Sequence, residues 1–241
     1  KKNKFSFISL DPVLQKNNII EKAAKLLKPY KKNKKGVQIK LHKKVPYQAG
    51  LGSASCNAAA TLNWLNQFWE CGLDFNKLHF LALKLGADVP FFLQEKPCCI
   101  TGKGEIIKPL NRQKPLALII MKPKNVSIST PWAYQKIANE KAYTNHKEQQ
   151  ENFLQAFELG NDEEMVQLLF NSFENILQKD FPFIHQCKTI LLNAGALGSV
   201  LSGSGSALVG VFKDEESLKK GLSYFYQKNL KEIFDFKTSF L

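Results

Sequence analysis

Residues 46–60 read Pro-Tyr-Gln-Ala-Gly-Leu-Gly-Ser-Ala-Ser-Cys-Asn-Ala-Ala-Ala, and these residue types suit one chemical task, the holding of a phosphate. Gly50 and Gly52 let the backbone turn tightly and approach a ligand with no Cβ between them. Ser53 and Ser55 offer hydroxyls and a helix cap, while the exposed N–H groups and the positive end of the following helix attract anionic oxygens. Ala58, Ala59 and Ala60 keep the first helical turns slim. A plain glycine turn before a capped helix is the alternative, and spacing alone leaves both open. The stretch is not G-x-x-x-x-G-K-[ST], and Ser55 at the last position excludes G-x-G-x-x-G. A second candidate is Asp88 in Leu-Gly-Ala-Asp-Val-Pro-Phe-Phe, residues 85–92, where Phe91 and Phe92 would partly shield a carboxylate. Such a group can take the proton of a hydroxyl attacking a γ-phosphate; an Asp near a Pro also suits an ordinary turn. A third glycine-serine stretch spans residues 195–206. Composition fits either a support for the first loop or a simple strand connection.

These residues must be positioned by the elements around them. Ile19, Ile20, Ala23, Ala24 and Leu27 recur at helical spacing until Pro29, and residues 36–45 alternate, with Val37, Ile39 and Leu41 on one face of a strand that runs into the loop. Helices are predicted over 55–69, burying Leu62, Leu65 and Trp69, and over 74–85, ended by Gly86 in a left-handed turn. Residues 91–93 and 98–101 read as short strands, with turns at Gly102 and Gly104. The apolar run 116–121 reads as a buried strand opening a second unit, 141–152 as a surface loop or helix edge, 153–159, 163–169 and 183–194 as helices, and 207–212 as a strand. Strands and helices intermix without a regular βαβ beat, which favours an α+β class. The division expected is 1–113 and 114–241.

Composition narrows the function. The 241 residues are 44% apolar, enough for one large or two modest cores, and hold no apolar run of membrane-spanning length and no signal-peptide pattern. A soluble protein of a cytosolic or organelle-interior setting is expected. The five cysteines show no C-x-x-C spacing and the four histidines are scattered, so reduced thiols and no protein-built metal site are expected. Of the net charge of +13, most lies in residues 1–50, where 14 lysines face only Asp11 and Glu21. Lys31, Lys32, Lys34 and Lys35 could draw an anionic substrate or nucleic acid. A solvated face is the plainer account, and with Arg112 the only arginine, nucleic-acid reading is not expected.

Taken together, residues 46–60, 85–93, 102–105 (Gly-Lys-Gly-Glu), 126–134 and 195–206 resemble the GHMP kinase superfamily over nearly the whole chain. Its phosphate loop has the form P-x-x-x-G-L-G-S-S or G-G-G-S-S followed by alanines. The resemblance implies a two-domain α+β fold, with an N-terminal part like the second domain of ribosomal protein S5 and a ferredoxin-like C-terminal part. It further implies a branch that uses ATP and Mg²⁺ to phosphorylate a hydroxyl of a cytidine-diphosphate-linked methylerythritol, in non-mevalonate isoprenoid precursor synthesis. Other GHMP kinases, acting on homoserine, mevalonate or a sugar, are the alternative within the superfamily; a decayed, basic binding protein is the non-enzymatic one. By the same resemblance Pro46, Tyr47, Gln48, Ala49, Gly50, Leu51, Gly52, Ser53, Ala54, Ser55 and Cys56 bind the ATP phosphates, Asn18 and Lys43 lie near the nucleotide, and Asp88 is the catalytic acid/base. Thr130, Pro131 and Tyr134 fall in the substrate pocket, with Tyr134 either stacked on the cytosine or an ordinary half-buried helix residue. The usual Gly-Gly-Gly-Ser-Ser is Gly52-Ser53-Ala54-Ser55-Cys56 here, and the Cys56 thiol is expected to weaken a phosphate or Mg²⁺ contact. The resemblance also places an opening strand with a catalytic lysine, and a tyrosine-histidine segment holding the cytidine, before Lys1. On that basis residues 1–241 alone are expected to fold poorly or to lack activity.

Overall fold

Apolar periodicity and a few caps account for the first of two structural units. The computed structural model describes residues 4–46, 48–94, 96–112, 114–140 and 146–240. It divides into Lys1–Pro46 with Gly52–Leu110, and Tyr47–Leu51 with Asn111–Leu241. In the first unit β1 (Phe5–Ser9) pairs in parallel with β2 (Val37–Leu41) across α1 (Ile19–Leu27). The Asn18 side chain caps α1 by accepting from Ile20 N–H at 3.0 Å. Helices α2 (Ser53–Phe68) and α3 (Phe75–Leu83), a 3₁₀ turn at Pro90–Leu93, and the hairpin of β3 (Cys98–Thr101) with β4 (Ile106–Pro109) complete the unit. Its core joins Ala23, Ala24 and Leu27 of α1 to Ala58, Ala59, Leu62 and Leu65 of α2 and to Leu78 and Leu81 of α3. Small alanines let α1 and α2 approach closely. Each fully buried leucine contributes roughly 1.5–3 kcal/mol. The lysine run lies on this unit's surface, where Lys35 pairs with Glu70 at 3.1 Å and Lys31 sits over the Trp69 ring.

The second unit is built on an antiparallel sheet ordered β6 (Gly198–Leu201), β7 (Leu208–Phe212), β5 (Ala117–Pro123), β8 (Phe234–Phe240). Taken in chain order as strands 1 to 4, that order is 2-3-1-4, the ferredoxin-like arrangement expected. Helices α4 (Thr130–Glu140), α5 (Lys147–Leu159), α6 (Asp162–Gln167), α7 (Glu174–Leu177), α8 (Phe183–Asn193) and α9 (Glu215–Gln227) surround it. Ile119 and Met121 of β5 join a core with Ile184 and Leu191 of α8 and Leu218 and Phe225 of α9, whereas Leu118 packs with Ala156 of α5 and Met165 of α6. Both faces of β5 are therefore covered, which explains its uninterrupted apolar run.

Several elements differ from the sequence-based expectation. Residues 91–93 are a 3₁₀ turn rather than a strand, because Pro90 fixes a helical φ at the first position. Gly86 keeps an ordinary φ, since Leu85 and Gly86 N–H groups both return to Ala82 O and no left-handed residue is needed. The strand expected over 36–45 ends at Leu41, and α5 begins at Lys147, ahead of its expected start, while residues 141–145 lie outside those described. Strands β1, β4, β6 and β8 and helices α7 and α9 were not expected, and α4 was expected only through the helical alternative for Tyr134. For α9 the signal was present, as Asp214 and Ser217 form a reciprocal capping box. No helix among the described residues is long and apolar enough to cross a membrane.

Candidate active site

The glycine loop makes close contacts that only glycine permits, with backbone at Gly50 and with an aromatic side chain at Gly52. In the second unit Gly50 has φ +73°, and a Cβ there would lie 1.9 Å from Ser202 O. Ser202 Oγ donates to Gly50 O at 2.9 Å and Ala207 N–H to Ala49 O at 3.0 Å. The stretch 195–206 thus supports the loop, and its residues 198–201 are strand β6. Gln48 adopts φ +55°, a left-handed conformation unusual for a side-chain-bearing residue. Tyr47 lies outside the described residues.

In the first unit α2 begins at Ser53, two residues before the expected start, and its N-cap is Gly52 at φ +60° with no side-chain cap. A Cβ on Gly52 would meet the Phe92 ring at 2.7 Å. The first helical hydrogen bond runs from Cys56 N–H to Gly52 O at 2.9 Å, so the N–H groups of Ser53, Ala54 and Ser55 lie ahead of the ladder. The Ser53 hydroxyl, expected as a cap, instead accepts from Lys43 Nζ at 2.6 Å. Burial lowers the Lys43 pKa, and the nearby exposed Cys56 thiol opposes that shift. A cation beside a bare helix N-terminus makes this end strongly attractive to anions.

Asp88 occupies the turn between α3 and Pro90–Leu93, anchored by buried Val89 and Pro90. The carboxylate is exposed rather than shielded, because Phe92 turns its ring onto Gly52. Among the described residues Asp88 makes no hydrogen bond or ion pair, leaving both oxygens open to a reacting group. A Cβ on Gly104 would fall 2.2 Å from Ala87 O, so the β3–β4 turn rests directly on the residue before Asp88. Asn18 has its side chain engaged locally, donating to Leu14 O at 2.8 Å as well as capping α1.

The expected substrate residues open α4. Thr130 Oγ1 and Ser204 Oγ are 2.9 Å apart, tying this helix start to the glycine-serine turn. Pro131 is exposed, and Tyr134 is 55% exposed with its ring edge-on to Phe173 at 5.0 Å. The sequence offered residues 195–206 as a possible support without singling out Ser202 or Ser204, and it read Phe92 as a shield for Asp88 rather than as the neighbour of Gly52. Alternating serines in 202–206 were the available signal, but their partners lie far along the chain.

A glycine loop feeding a bare helix end, together with a ferredoxin-like second unit, defines a small-molecule kinase of the GHMP type. The GHMP kinases N terminal domain matches residues 18–96 and the GHMP kinases C terminal domain residues 153–232. Among similar proteins, the 4-diphosphocytidyl-2-C-methyl-D-erythritol kinase of Thermodesulfovibrio yellowstonii is 37% identical over 226 residues, covering 90% of this chain and 77% of its own length. That of Chloroherpeton thalassium is 38% identical over 203 residues, covering 83% and 70%. The chain belongs to this family of GHMP kinases. A crystal structure of 4-(cytidine 5'-diphospho)-2C-methyl-D-erythritol kinase matches with TM-score 0.79 and 26% identity, over 100% of this chain and 83% of that one. A homoserine kinase from Cytophaga hutchinsonii matches with TM-score 0.80 at 19% identity, over 100% and 82%, a likeness of fold alone.

Proposed function

We propose that this kinase transfers the γ-phosphoryl group of ATP to a hydroxyl of 4-diphosphocytidyl-2-C-methyl-D-erythritol, in non-mevalonate isoprenoid precursor biosynthesis. The observation that carries the phosphate half is the Gly50 and Gly52 turn entering α2 with Lys43 on Ser53; the substrate half rests on the relatives just described. Residues 46–56 form the ATP phosphate loop, in which the N–H groups of Ser53, Ala54 and Ser55 ahead of the helical ladder face the phosphates, with Asn18 and Lys43 near the nucleotide. Asp88 accepts the hydroxyl proton as the oxygen bonds to γ-phosphorus and the bond to the β-phosphate bridging oxygen breaks, releasing ADP. Thr130, Pro131 and Tyr134 line the substrate side, with the exposed Tyr134 ring stacking on cytosine. In this reading residues 1–113 form the nucleotide part and 114–241 the second part, in a bacterial cytoplasm or plastid stroma.

Mg²⁺ accompanying ATP would neutralise charge on its phosphates. The Ser55 hydroxyl at the start of α2 is an oxygen donor of the kind such an ion would accept. The test is phosphoryl transfer by the full-length protein to the cytidine-linked substrate, homoserine and mevalonate in parallel. Transfer only to a substrate lacking cytidine refutes the reading. Asp88→Asn is expected to lower kcat by about 10²–10⁴-fold with KM for ATP little changed.

A further inference from the structure

We infer that Asn171 is a positioning residue for the phosphate loop, acting through the 201–203 turn on Gly50. The inference rests on the proposal that this loop holds ATP. Asn171 stands just before α7 and, among the described residues, makes no hydrogen bond to residues 46–56. Its Nδ2 donates to Leu201 O at 2.7 Å and to Gly203 O at 2.9 Å, while Oδ1 accepts from Phe173 N–H at 2.8 Å. Both amide protons and the carbonyl are engaged, so the orientation of the amide is settled by its partners.

The turn it grips is the one that holds Gly50. Leu201 ends the edge strand β6, and its N–H is taken by Glu174 Oε2 at 2.9 Å, the other Glu174 oxygen being paired with Lys188. Gly205 N–H closes the turn onto Ser202 O at 2.9 Å, and that same oxygen occupies the space a Cβ on Gly50 would need. A Cβ on Gly203 would lie 3.1 Å from Gly50 O. Capping the strand edge would require only the bond to Leu201. The bond to Gly203 O lies at an exposed residue, where water would satisfy the carbonyl equally well. Its effect is therefore on where the turn sits, and Ser202 carries that placement to Gly50 through its hydroxyl.

Asn171→Asp tests this, because it keeps the acceptor for Phe173 N–H but points an oxygen at two carbonyl oxygens. Measured on the full-length protein, KM for ATP should rise about tenfold, with KM for the second substrate and the melting temperature little changed. Ser202→Ala should raise KM for ATP less, and the double variant should show less than the product of the two effects, since both act through one turn. Asn171→Ala carries the same expectation at a smaller factor should Asn171→Asp not fold. Wild-type KM for ATP in the Asn171 variants overturns the inference. So does a fall in melting temperature with reduced kcat and both KM values unchanged, or a fully multiplicative double variant. Gly50→Ala is the control: if it too leaves KM for ATP unchanged, the phosphate reading of the loop fails and this inference with it, whereas a raised value there beside unchanged Asn171 variants refutes the Asn171 role alone.

Discussion

Replacing Gly50 by alanine should separate the close approach of the loop from its unusual backbone angle. At φ +73° an alanine costs roughly 1–2 kcal/mol for the left-handed conformation alone. The new Cβ would also lie 1.9 Å from Ser202 O and 2.9 Å from Gly205 N, both backbone atoms that no rotamer change can move aside. Restoring ordinary carbon–oxygen contact requires a displacement of more than about 1 Å, which breaks the Ser202–Gly50 and Ala207–Ala49 hydrogen bonds at about 0.5–1.5 kcal/mol each. A shift of that size in a phosphate-holding loop is expected to lower kcat/KM for ATP by about 100-fold, or about 2.7 kcal/mol of transition-state stabilisation. Gly195 provides the comparison, for it has φ +95° and nothing lies within 4 Å of where its Cβ would stand. Gly195→Ala should carry only the conformational cost, lowering Tm by about 2–8 °C with unchanged kinetics. Steady-state kinetics and thermal melts on both variants, in the full-length protein, make the test. Wild-type kcat/KM in Gly50→Ala, with a Tm loss equal to that of Gly195→Ala, refutes the reasoning.

Other outcomes follow from buried groups. Arg112 and Asp162 form a buried ion pair, their side chains only 6% and 5% exposed, with half-exposed Lys114 on the second Asp162 oxygen at 2.9 Å. Arg112→Ala should destabilise by about 3 kcal/mol in urea unfolding, the low end for a broken buried pair because Lys114 remains; a loss below about 1 kcal/mol contradicts this. Burial pushes the Cys187 thiol up from 9.0 to about 12. The unfolded chain therefore loses its proton first, and stability that is intact below about pH 9 falls by about 1.4 kcal/mol per pH unit until about pH 12. Cys187→Ala should flatten that part of the profile, and an unchanged slope would rule the thiol out as its source. Lys43→Met removes the cation from Ser53 at the start of α2, and KM for ATP should rise about tenfold with less dependence on ionic strength; unchanged salt dependence would count against a phosphate role.

Local patterns made much of this protein legible. The Ile20, Ala23, Ala24 and Leu27 spacing specified α1, the uninterrupted apolar run specified β5, and two glycines before a slim helix made residues 46–60 a candidate phosphate loop, because each depends on neighbours a few residues away. Asp88 was legible as a candidate, though its exposure was not: whether Phe92 covers the carboxylate or turns onto Gly52 depends on how separate segments pack. Pro90 likewise favoured a 3₁₀ turn over the strand that Phe91, Phe92 and Leu93 suggested by apolar content. The glycine-serine stretch shows the division most clearly. Its composition suited either a support or a simple connection, and the choice lay in Ser202 reaching Gly50 across 152 residues of sequence. The amino-acid sequence by itself determined which segments could be helix, strand and phosphate turn; only tertiary structure decided which carbonyls and hydroxyls those turns would meet, because such long-range contacts leave no periodic trace in either partner's local sequence.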